Sequence, residues 1–111
     1  HETGDLVLKE TGRRLGSGLR HQDGLCRWGG EELLILLPDT PMEGAREVAE
    51  KLRQTMAPPI DANGQPVNQT ISLGVVSFQK EDTANTVIGR ADEALYRAKS
   101  NGRNRVEVAT P

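Results

Sequence analysis

Two glycines set between two strand-like runs constrain this chain more than any other feature. Leu25-Cys26-Arg27-Trp28 leads into Gly29-Gly30-Glu31-Glu32, and Leu33-Leu34-Ile35-Leu36-Leu37 continues without a polar break. Glycine accepts the positive φ that tight hairpin turns require, so the segment predicts an antiparallel hairpin turning at Gly29-Gly30. Side chains alternate along a strand, which places Glu31 with Leu33, Ile35 and Leu37, and Glu32 with Leu34 and Leu36. Apolar residues on both faces predict an interior strand covered on both sides, with two carboxylates at its mouth. Such a turn suits a nucleotide. Its free N–H groups match phosphate oxygens, and its acids match Mg²⁺, a hard cation. A solvated hairpin with two ordinary surface acids has the same composition, and residues 28–33 alone do not separate these readings.

The rest of the chain supplies helices on both sides of that hairpin. Leu8, Leu15 and Leu19, with Val7 beside them, predict a helix from about Asp5 to Leu19. Gly12, Gly16 and Gly18 weaken it, at roughly 1 kcal/mol each against Ala. Asp39-Thr40-Pro41 predicts a helix start with Thr40 as cap and Pro41 in the first turn. Ala45, Val48, Ala49, Leu52 and Met56 then form its buried stripe, and Pro58-Pro59 stops it. Asp61–Gly64 reads as a small turn and Val67–Phe78 as a strand. A last helix, from about Ala84 to Ser100, buries Val87, Ile88, Ala91, Ala94, Leu95 and Ala98. Asn101-Gly102 ends it, and Arg105–Val108 forms a short final strand. The order helix, strand, strand, helix, strand, helix, strand matches a βαββαβ core without its first strand. An interior strand needs a neighbour on each edge, so a strand preceding residue 1, or one from another chain, is expected.

Length and charge remove several function classes. With 111 residues the chain makes one small domain, and a net charge of −2 leaves no basic footprint for a nucleic acid polymer. The single cysteine excludes an internal disulfide and fits a reducing compartment. Cys26 is expected as a small buried hydrophobe. The longest apolar run, Leu33–Leu37, is too short to span a bilayer, so no membrane contact by this domain is expected. The opening His1-Glu2-Thr3-Gly4-Asp5 is no signal peptide and lacks a starting Met, which predicts a piece of a longer protein.

With these residues in view, the chain resembles the GGDEF family of diguanylate cyclases over essentially its whole length. His1-Glu2-Thr3-Gly4-Asp5 is similar to the family's His-x-x-Gly-Asp segment, and Gly29-Gly30-Glu31-Glu32-Leu33 to its signature turn. Arg90-Ala91-Asp92-Glu93-Ala94-Leu95-Tyr96-Arg97-Ala98-Lys99 resembles the family's closing helix, and Gly102-Arg103-Asn104 is similar to the loop after that helix. The resemblance implies an α/β (α+β), nucleotide-cyclase-like domain over residues 1–111. It would have a mainly antiparallel central sheet, flanking helices, and no first strand or start of the first helix. It implies condensation of two GTP molecules into cyclic di-GMP with release of pyrophosphate, Mg²⁺ or Mn²⁺ as cofactor, and a homodimer of domains. Asp5 would hydrogen-bond the guanine edge, whose N1 and N2 donors a carboxylate can accept. Gly29 and Gly30 would turn backbone amides to the phosphates. Glu31 would ligate metal, and Glu32 would lie near the metal or assist loss of the 3′-hydroxyl proton. Lys99 and Arg103 would hold the terminal phosphates; read from the residues alone, cations at a helix C-terminus also favour its dipole.

Arg20-His21-Gln22-Asp23 ends six positions before Gly29 and resembles the family's inhibitory Arg-x-x-Asp site for cyclic di-GMP, with Lys51 as a further basic group. An Arg beside an Asp-Gly turn is also a common helix-end arrangement. Six strand residues put about 20 Å between this site and the glycine pair, so product inhibition would act on how two domains meet. The chain departs from the family in lacking a preceding strand with an acidic ligand and an Asn. Leu33 replaces the signature's aromatic residue and Glu31 its Asp. The 111-residue fragment is therefore expected to be a poor cyclase by itself. The resemblance places the domain in the bacterial cytoplasm, with a sensor domain, soluble or membrane-bound, outside this chain. The alternative is a degenerate cyclase domain that binds GTP or cyclic di-GMP to regulate a partner.

Overall fold

The computed structural model describes residues 2–109. Its elements run α1 (Glu2–Ser17), β1 (Gly24–Gly29), β2 (Glu32–Leu36), α2 (Met42–Thr55), β3 (Ile60–Ala62), β4 (Gln65–Val67), β5 (Leu73–Val75), α3 (Ala84–Ser100) and β6 (Val106–Val108). The mixed α/β class expected from the sequence is present. The strands form three pairs: β1 with β2 and β3 with β4 are antiparallel, whereas β5 and β6 are parallel across the α3 crossover. No helix among the described residues is long and apolar enough to cross a membrane.

The stripes of α2 and α3 fall where periodicity placed them, whereas Leu19 of the expected first stripe lies beyond α1. Leu15 of α1, Ala45, Ala49 and Leu52 of α2, and Ala94 and Ala98 of α3 are buried, with Met56 and Ile60 beside them. Leu52, Met56 and Ile60 are the largest fully buried side chains, so the C-terminal end of α2 and the start of β3 meet at the centre. Arg14 ties α1 to that same place. Its Nη1 donates to the carbonyls of Thr55 (3.3 Å) and Pro58 (2.6 Å), and Nη2 to that of Pro59 (3.0 Å). These bonds take up Thr55 O at the C-terminal end of α2 and the two proline carbonyls just beyond it.

Several expectations are corrected. α1 spans Glu2–Ser17, because the chain leaves the helix in tight turns from Gly18 N–H to Leu15 O and from Leu19 N–H to Gly16 O. Thr40 does not cap α2: Pro41 is the N-cap, with no side-chain cap bond. Thr40 Oγ1 donates instead to Pro38 O, at 2.9 Å. Residues 60–67 form an extra hairpin, and β5 is only Leu73–Val75. The turn of that hairpin is Asn63-Gly64, both at positive φ (55° and 81°), the geometry that two-residue hairpins favour. β4 contains Pro66, which short edge strands tolerate. Cys26 is exposed, not buried. β2 is paired only with β1 among the described residues; Leu33, Leu34 and Ile35 are half-buried and Leu36 is 58% exposed. Coverage of this strand on both faces is thus not seen.

β5 reaches α3 through Gly74. A Cβ there would stand 2.5 Å from both Ala91 O and Leu95 N. These are backbone atoms of a packed helix and cannot swing aside. Gly89, on the exposed side of α3, has nothing within 4 Å of such a Cβ. Gly74→Ala should therefore lower stability by about 3 kcal/mol, the upper end of typical overpacking. Gly89→Ala should raise it by roughly 0.5–1 kcal/mol through helix propensity. Urea midpoints shifting in the same direction for both variants would contradict this packing.

Candidate functional site

The hairpin tip is built from its register. Gly29 pairs with Glu32, leaving Gly30 and Glu31 as the two-residue loop; the turn thus lies one position later than Gly29-Gly30. Gly30 supplies the positive φ, +51°. The register shifts between Arg27 and Gly29, so Trp28 is the bulged residue and projects outward. Arg27 Nε donates to Gly30 O at 3.0 Å and braces the turn from the neighbouring strand. Open space surrounds both glycines where a Cβ would be, so a ligand can approach their backbone. Glu31 in the loop and Glu32 at the start of β2 are exposed, and neither makes a side-chain hydrogen bond or ion pair among the described residues.

The other expected substrate groups sit on helix ends. Asp5 is exposed in the first turn of α1; His1, which begins the same segment, lies outside the described residues. Lys99 occupies the last turn of α3, and Arg103 lies in the loop beyond, both exposed. Gly102 leads out of the helix at φ +122°, and Arg103 N–H donates back to Ala98 O at 2.9 Å. Glu31 and Glu32 thus share the hairpin tip, and Lys99 and Arg103 flank the C-terminal end of α3. No hydrogen bond or ion pair links these two groups to each other or to Asp5 among the described residues.

Arg20 and Asp23 close a second cluster at the opposite end of β1. Arg20 Nη2 donates to Asp23 Oδ1 at 2.9 Å, Arg20 N–H to Oδ2 at 2.7 Å, and Asp23 N–H to Arg20 O at 3.0 Å. The Asp23 side chain is only 1% exposed. Its hydrogen bond from the Arg20 guanidinium holds the carboxyl below the usual carboxylate range, against desolvation that pushes it up. Arg20 Nη2 also reaches Thr40 Oγ1 (2.6 Å) and Pro38 O (3.1 Å), partners that sequence reading missed. Thr40 beside Pro41 looked like a helix cap, and nothing local signalled its real contact. Lys51 is exposed on α2 and makes no hydrogen bond or ion pair with Arg20 or Asp23. It stands about 14 Å along the helix from Met42.

The fold and this tip define an α/β domain of the nucleotide-cyclase type. The family model described as "Diguanylate cyclase, GGDEF domain" matches residues 1–105, and the chain belongs to that family. It is 44% identical over 110 residues to diguanylate cyclase DgcP of Pseudomonas aeruginosa, covering 98% of this chain and 16% of that protein. The active GGEEF domain of a diguanylate cyclase from Vibrio cholerae superposes with TM-score 0.86 at 35% identity, over all of this chain and 71% of that one. The GGDEF domain of DgcB from Caulobacter crescentus in complex with c-di-GMP gives TM-score 0.90 at 27% identity, over 97% and 66% of the two chains. The chain spans 16–30% of the length of the first curated relatives it matches.

The Arg20–Asp23 pair gives a pH signature. A depressed carboxylate contributes stability that is present above its unfolded pKa, about 3.9, and lost as pH falls through the lower folded value. Wild type should therefore be more stable than Asp23→Asn at pH 7, with the gap closing below about pH 4. Urea midpoints that differ equally at pH 7 and pH 3 would show that the pair contributes nothing through its charge.

Proposed function

We propose that the protein carrying this domain condenses two GTP molecules into cyclic di-GMP, releasing pyrophosphate. The observation that supports this best is the hairpin tip, where a positive-φ glycine precedes two exposed carboxylates without protein partners among the described residues. The named cyclases among its relatives support the same reading. Leu33, the departure from the signature, pairs with Arg27 in the hairpin and is half-buried. It is a packing position, so the substitution alters fit without removing a reacting group.

Hard carboxylate oxygens at Glu31 and Glu32 suit Mg²⁺ or Mn²⁺. No group of three or more His, Cys, Asp or Glu side chains converges among the described residues. Substrate phosphates and water would complete the ligand set, as is usual for Mg²⁺. The cation, when bound, supplies charge neutralisation of the triphosphate. The chain's own groups do the rest: Gly29 and Gly30 present backbone to the phosphates, and Lys99 and Arg103 hold their far end. Asp5 accepts from the guanine donors that adenine lacks. Glu32 accepts the 3′-hydroxyl proton. One GTP on each domain requires two domains facing each other about a two-fold axis.

Cyclic di-GMP also binds at Arg20 and Asp23 in this reading, with Lys51 contributing charge. The Caulobacter complex supports a product-binding surface on such domains. Product there stands about 20 Å from the tip, so it restrains how the two domains meet and does not displace GTP.

Two measurements test these assignments in the full-length protein. Glu31→Gln should reduce cyclic di-GMP formation from GTP to background, because an amide removes the charge a divalent cation needs. Near-normal turnover would remove Glu31 from the metal site. Arg20→Ala should weaken cyclic di-GMP binding by about tenfold or more, the worth of a charge-assisted contact, while GTP affinity stays unchanged. Calorimetry giving equal product affinity for variant and wild type would dismiss the second site.

A further inference from the structure

The loop after α3 holds three successive residues at positive φ: Gly102 (+122°), Arg103 (+63°) and Asn104 (+47°). Glycine adopts this region freely and Asn more readily than most residues, whereas Arg does not, and a strained backbone persists only where its surroundings over-determine it. The surroundings here come from two distant segments. Asn104 N–H donates to Ser72 Oγ at 3.1 Å, just before β5. Arg53 Nη1, from α2, donates to Asn104 Oδ1 at 3.0 Å. Arg53 is itself aimed by Glu50, through Nε to Oε1 at 2.9 Å and Nη2 to Oε2 at 2.6 Å. The next residue is anchored too, because Arg105 O accepts from Leu73 N–H at 2.9 Å.

Arg103 itself is exposed and has no side-chain hydrogen bond or ion pair among the described residues. A glycine at this position would make the same turn without strain. The strained arginine keeps a charged side chain that glycine would lack, and that side chain leaves the backbone four residues beyond Lys99. We propose that Arg53 and Ser72, acting through Asn104, are positioning residues that hold Arg103 toward the terminal phosphates of the nucleotide. This rests on the reading of Lys99 and Arg103 as the triphosphate-binding pair. Recognition of the triphosphate, as distinct from the nucleoside, thus depends on a residue of α2 that touches no substrate.

The test uses the full-length protein and two probes, a non-hydrolysable GTP analogue and GMP, with affinities measured by calorimetry. Arg103→Gln, Arg53→Ala and Asn104→Ala should each weaken the GTP analogue about tenfold, the worth of one charge-assisted contact. GMP, which lacks the terminal phosphates, should bind each variant within about twofold of wild type on the same reasoning. Adding Arg53→Ala to Arg103→Gln should cause no further loss, since both act on one contact. Should Arg53→Ala fail to fold, Asn104→Gly carries the same expectation, because glycine keeps the left-handed conformation while deleting the anchor. Loss with Arg103→Gln but none with Arg53→Ala or Asn104→Ala overturns the positioning role and leaves the phosphate role standing. Equal losses for GTP analogue and GMP reduce Arg53 to a structural residue and overturn the proposal. An Arg103→Gln variant that binds the analogue normally overturns the phosphate reading as well.

Discussion

At Gly74 the backbone of β5 lies directly against that of α3, with room for no side chain between them. This approach sets the depth at which α3 sits, and with it the place where Lys99 and the loop beyond it emerge. Because side chains alternate along a strand, a glycine facing α3 leaves Leu73 and Val75 on the other face. α2 packs on the same β5–β6 pair. The parallel pair is held at both ends, by Leu73 N–H on Arg105 O and Ala109 N–H on Val75 O. A wider contact between β5 and α3 would shift the end of that helix relative to everything that α2 anchors.

Four arginines then fix the loops. Arg14 pairs with Glu10, Arg20 with Asp23, Arg53 with Glu50 and Arg90 with Asp82. Each keeps further N–H groups for an oxygen elsewhere in the chain. These are the carbonyls around Pro58 for Arg14, Pro38 O for Arg20, Asn104 Oδ1 for Arg53 and Ser77 O for Arg90. In Arg14, Arg20 and Arg53 the nearby carboxylate orients a planar fork whose donors also reach a second segment, whereas Arg90 ties Asp82 and Ser77 O of one loop to α3. Lysine, with a single ammonium on a flexible stem, cannot be aimed in this manner. Surface ion pairs by themselves contribute little; here their consequence is geometric. Hydrogen bonds from Arg13 and Arg14 hold the pKa of the Glu10 carboxyl down at about 2.

The parts of the fold that were legible in the sequence are those whose signal is local. The stripes of α2 and α3 and the glycine hairpin repeat a period or mark a turn within a few residues, and each appears close to where it was expected. The failures concern what lies opposite a segment. Cys26 and Leu36 are apolar and sit in strands, yet their burial depends on neighbours that their own sequence does not specify. Thr40 has the right residue type in the right place for a cap, but Arg20 and Pro38 offer it partners of their own. The β3–β4 hairpin carried its turn signal in Asn63-Gly64, but its strands are three residues each, too short to show an alternating pattern.

The same distinction divides the candidate site. Glu31, Glu32, Lys99 and Arg103 are exposed and without side-chain partners among the described residues, and they fall in short motifs because a turn or a helix end displays neighbours together. The contacts that hold the loop after α3 obey no local pattern. Arg53 and Ser72 lie 51 and 32 residues from Asn104 and meet it only once α2, β5 and α3 are packed. Their sequence neighbourhoods suggest an ordinary helix surface and an ordinary strand approach. What singles them out is the left-handed backbone at Arg103, a conformation that arginine does not prefer and that tertiary contacts sustain.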